Sequence, residues 1–104
     1  MNAMSSKAEI QYQIACLGQE KERLESEIKA ADDYTKHITQ KKLDQQAIVY
    51  GTYDQDTMDA AQKEYDYCCG ILLDLLDRAL EREQRMQELR DAERTLSMSL
   101  RLAQ

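Results

Sequence analysis

The sequence predicts an all-α fold, an antiparallel two-helix coiled-coil hairpin expected to pair into a four-helix bundle. Three observations carry that prediction. Proline is absent, glycine occurs only three times, and 33% of the 104 residues are charged, a composition typical of long helices and coiled coils. Two long stretches carry apolar residues at alternating steps of three and four, with one convincing turn between them. Within the second stretch, YDYCCGILLDLLDRAL (65–80) is apolar on nearly every side. A single helical-hairpin domain over 1–104 follows, with a helix at about 6–49, a turn at about 50–54 and a helix at about 55–103.

The first helix opens at Ser6-Lys7-Ala8-Glu9. This is a capping-box pattern, in which the hydroxyl takes the Glu9 amide and the carboxylate returns to the Ser6 amide. Ile10, Ile14, Leu17, Leu24, Ile28, Ala31 and Ile38 then form a heptad seam interrupted by Lys21 and Thr35. Lys42 and Gln45 weaken its end. Gly18 costs about 1 kcal/mol relative to alanine inside a helix. The helix is read as continuing through it; a bend there, giving a three-helix form, is the competing expectation.

The turn lies in VYGTYDQD (49–56). Gly51 is expected to end the helix with positive φ. Thr52-Tyr53-Asp54-Gln55 is a second capping-box pattern, with Asp54 as the alternative N-cap. A short strand at 48–50 is the minor alternative. The turn has neither a Trp-x-Gly motif nor the length for an inserted β-hairpin.

The second helix has the stronger seam: Met58, Ala61, Tyr65, Cys68, Leu72, Leu75, Ala79, Arg82, Met86, Leu89, Glu93, Leu96, Leu100 and Ala103. Only Arg82 and Glu93 among these are charged. A strict seven-residue repeat implies left-handed supercoiling against a partner helix. Opposing the seams across the turn brings Ile38 to Cys68 and Leu17 to Leu89, so the nearest partner is the first helix, and each helix would run roughly 70 Å.

The stretch 65–80 exceeds what one partner can cover. Its polar residues, Asp66, Gly70, Asp74, Asp77 and Arg78, form one narrow stripe. A surface helix needs an apolar stripe little wider than 100°, whereas an all-round apolar helix is buried. The facing segment 27–38 offers mainly Ile28, Ala31, Tyr34 and Ile38. Cys69, Ile71, Leu72, Leu73, Leu76 and Leu80 are therefore the expected protein-interaction residues, and a second copy docking about a two-fold axis is the expected cover. Gly70 is expected to let helix backbones approach there. Tyr50 and Tyr53, flanking the turn, are further candidates, either as a recognition tip or as staples on the helix ends.

The composition also excludes functions. A net charge of −6 argues against general nucleic-acid binding, which relies on clustered Lys and Arg. No run approaches the ~20 apolar residues of a membrane span, and MNAMSSKAEI has no leader-like apolar core. Three cysteines without framework spacing predict reduced thiols and a cytoplasmic location. Adjacent Cys68 and Cys69 diverge on a helix, and with the lone His37 they lack zinc-ligand spacing. No phosphate loop or Ser-His-Asp set exists, so neither catalytic residues nor a cofactor is expected. Residues 53–77 hold seven acids and one base, Lys63, whereas Arg85, Arg90, Arg94 and Arg101 lie beyond. The expected role is a non-enzymatic structural or adaptor protein that self-associates, favouring a homodimer. The alternative is a small acidic helical chaperone for a client, or a coiled-coil component of a secretion or export machine.

Overall fold

The structure, a computed structural model, describes residues 6–103; residues 1–5, part of the stretch searched for a leader, lie outside it. The chain forms an antiparallel helical hairpin. Helix α1 spans Lys7–Gly51 (45 residues) and helix α2 spans Gln55–Leu102 (48 residues). Residues 48–50 lie inside α1, which settles the strand alternative.

Each helix start is explained by its cap. The Glu9 amide donates to Ser6 Oγ at 3.2 Å, satisfying one of the amides that an N-terminus leaves without a helical acceptor. At the start of α2 the cap is Asp54: its carboxylate accepts from the Thr57 amide at 3.0 Å and from the Thr57 hydroxyl. Thr52 instead accepts the Asp54 amide on its hydroxyl at 3.2 Å, holding the three-residue turn. The carboxylate at this cap also carries full charge at the positive end of the helix dipole, which favours it there.

Of two expectations about glycine, one is corrected and one holds. No glycine among the described residues has positive φ, so Gly51 is the last helical residue rather than a left-handed cap, and the turn begins after it. Gly18 is helical on both sides, with nothing within 4 Å of where its Cβ would stand. With no proline to remove an amide, one glycine does not break a 45-residue helix held by tertiary packing. The three-helix form is thereby excluded.

The helices pair in two packing units. In the terminal unit, residues 6–27 and 81–103, the buried apolar side chains are Ile10, Leu24, Met86 and Leu89, the last only 1% exposed. Two charges that interrupt the seams answer each other here: Lys21 Nζ lies 3.3 Å from Glu93 Oε1, both partly buried. Glu20 and Arg85 pair beside them, with Arg85 Nε donating at 3.1 Å. Glu20 and Glu88 together raise the Arg85 guanidinium above its ordinary value.

In the turn unit, residues 28–80, the buried side chains are Ile38, Ala61 and Cys68. Thr35, the other seam interruption, donates its hydroxyl to the Ala31 carbonyl at 2.8 Å and so needs no partner across the interface. Lys41 pairs with Glu64 at 3.0 Å, and this contact raises the Lys41 ammonium above its ordinary value.

Candidate functional site

The turn unit contains a face that the hairpin does not cover. The seam of α2 passes through Cys68, Leu72, Leu75 and Ala79. One residue on from each stand Cys69, Leu73, Leu76 and Leu80. A one-residue shift rotates a position by about 100° around the helix. These four therefore form a second seam with the same four-three-four spacing, beside the first. Cys69 is half-buried, but Leu73, Leu76 and Leu80 are 66%, 56% and 56% exposed. Ala79, although on the first seam, is exposed as well.

The ion pairs explain why this side stays open. Lys41 and Glu64 each precede a seam residue by one, Lys42 and Tyr65, so their contact lies on the flank opposite the leucines. Antiparallel helices bring like flanks together, and the flank that follows the seam is consequently shared by both helices. On α1 it holds Lys29, Asp32 and Lys36, all exposed, then half-buried Thr39 and exposed Leu43. No apolar side chain of α1 stands beside the leucines to cap them.

The six apolar residues predicted from 65–80 thus divide. Cys69, Leu73, Leu76 and Leu80 share one stripe. Leu72 is half-buried on the seam itself, and Ile71 is half-buried on the opposite flank, one residue before it. Ile71 is not brought together with the leucine stripe; apolar character alone did not distinguish the flanks, which only the ion-pair side reveals. Gly70 is exposed, with nothing within 4 Å of where a Cβ would stand, so no backbone of the hairpin approaches it.

The tyrosines also separate. Tyr50 is 82% exposed and lines a cleft of about 150 Å³ with Gln46, Val49, Gln62 and half-buried Tyr65. Neighbouring Cys69, with smaller contributions from burial, Tyr50 and Asp66, raises the Tyr65 phenol above its ordinary value. Tyr53, by contrast, is fully exposed at the turn. Its side chain staples nothing.

The remaining reactive side chains are dispersed. Cys16 is exposed, Cys68 is buried and His37 is exposed. Among the described residues no group of three or more His, Cys, Asp or Glu is placed to hold a metal ion, and no helix is long and apolar enough to cross a membrane. What the face offers is exposed apolar area on α2. Comparison with known protein families, curated proteins and solved structures finds no match to this chain.

Proposed function

We propose that this chain is a non-enzymatic structural or adaptor protein whose working surface is the leucine stripe of α2, used first for self-association into a homodimeric four-helix bundle. The observation that carries this reading is the second heptad seam, in which half-buried Cys69 is followed by Leu73, Leu76 and Leu80, all left exposed by their own hairpin. A heptad seam is the surface a helix presents to another helix. Burying a leucine fully is worth roughly 1.5–3 kcal/mol, so covering these half-exposed side chains returns about 1 kcal/mol each, summed over both copies. The cost of association is of similar size, and the dimer is expected to be concentration-dependent.

The test is the mass in reducing buffer by light scattering, from about 10 to 500 µM. A mass rising toward twice 12.1 kDa is expected for the natural chain, and a monomer at every concentration for Leu73→Glu with Leu76→Glu. Both positions are exposed in the hairpin, so the double variant should keep its helical content. If the double variant dimerises as well as the natural chain, the stripe is not the interface. If the natural chain stays monomeric, the face serves a different protein, and the chaperone or export-component reading takes precedence.

A further inference from the structure

We propose that two copies pack α2 against α2 in antiparallel order, about a two-fold axis crossing the helix between Leu73 and Leu76; this rests on the self-association reading above. Within the turn unit the flank one residue past the seam reads Cys69, Leu73, Leu76, Leu80, with Cys69 half-buried and the leucines exposed. Laid antiparallel on a second copy, this series matches itself: Leu73 meets Leu76, and Cys69 meets Leu80.

The other face-to-face arrangement has its axis along the helices and lays α2 on α1 of the second copy. Counting back from the Lys41–Glu64 pair, Leu76 would then meet Lys29, Leu73 would meet Asp32, and Cys69 would meet Lys36. That exchanges leucine–leucine burial for charged side chains whose exposed pairs contribute little. The antiparallel arrangement buries four leucines against one another and sets Leu80 of each copy on Cys69 of the other.

Cross-linking tests the direction. In a Cys16→Ser background, which removes the exposed thiol, Leu80→Cys is treated with a short bismaleimide at a concentration where light scattering shows dimer. Positions 69 and 80 lie about 16 Å apart along one helix, beyond the reach of such a linker, so a bridge between them joins two copies. The expected product has twice the chain mass and a peptide bridge from Cys69 to the thiol introduced at position 80. A dimeric sample that yields Cys69–Cys69 bridges, or none, overturns the antiparallel arrangement while leaving self-association intact. A natural chain that is monomeric at every concentration overturns the self-association reading itself.

Discussion

Residues 69–80 and 82–96 of α2 carry the same three-four seam, yet they differ one residue away from it. Past the seam in the first stretch stand Cys69, Leu73, Leu76 and Leu80; past it in the second stand Glu83, Gln87, Arg90 and Arg94. In the second stretch the apolar stripe is one seam wide. Met86 and Leu89 are 4% and 1% exposed, so one partner helix completes the packing. In the first the stripe is two seams wide, and three leucines remain more than half exposed. The number of partner helices a helix requires is set by the width of its apolar stripe rather than by its mean apolarity.

Truncation breaks this comparison most directly. Leu89→Ala should destabilise the hairpin by about 2–4 kcal/mol, because it leaves a cavity between packed helices. Leu76→Ala should cost the isolated hairpin less than about 1 kcal/mol, because its side chain is already in water. Urea denaturation, at concentrations where the chain is monomeric, measures both. Comparable losses at the two positions would mean that the first stretch is covered after all.

The charged seam positions of the terminal unit give a smaller effect. Glu93→Ala leaves Lys21 partly buried without its partner and should cost about 1 kcal/mol. Replacing both, Lys21→Met with Glu93→Leu, should recover that loss or exceed it, since a partly buried ion pair is readily replaced by apolar contact. Failure of the double replacement to recover stability in a thermal melt would show that the pair sets helix register.

On the polar side of the uncovered stretch, Gly70→Ala should stabilise the hairpin by about 0.5–1 kcal/mol. The added methyl meets nothing within 4 Å, and alanine restricts the unfolded chain. A destabilised variant would reveal a neighbour at Gly70 in solution, such as a second copy.

The smallest effect belongs to the Asp54 cap. The Thr57 hydroxyl and amide hold the Asp54 carboxyl below its ordinary value, so its folded pKa is lower than its unfolded one. Its contribution is therefore fully present above the unfolded value near 4 and disappears as pH falls through the lower folded value. Asp54→Ala should lower Tm by about 2–5 °C at neutral pH, with the difference shrinking toward pH 2. A pH-independent difference would assign the effect to the turn conformation instead of the carboxylate.

Much of the hairpin was legible in the sequence because its determinants are local. Ser6 as cap, the two seams and the single turn depend on spacing and hydrogen-bonding groups a few residues apart. The choice between Thr52 and Asp54 was not legible, because both patterns fit and only the backbone path selects the carboxylate. Gly51 read as a left-handed cap from composition, but α1 stays right-handed to its last residue. The pairing of Lys21 with Glu93 was hidden because it spans 72 residues of chain, and each looked like an isolated defect of its own seam.

The sequence by itself determined two long helices, where they reverse, and an excess of apolar surface at 65–80, since periodicity and capping act through neighbours on one helix. Only the tertiary structure decided which part of that excess is exposed. The Lys41–Glu64 pair identifies the flank on which the two helices exchange charges, and so places Ile71 on that side and Cys69, Leu73, Leu76 and Leu80 on the other. A flank is a relation between two helices, and no spacing within one of them specifies it.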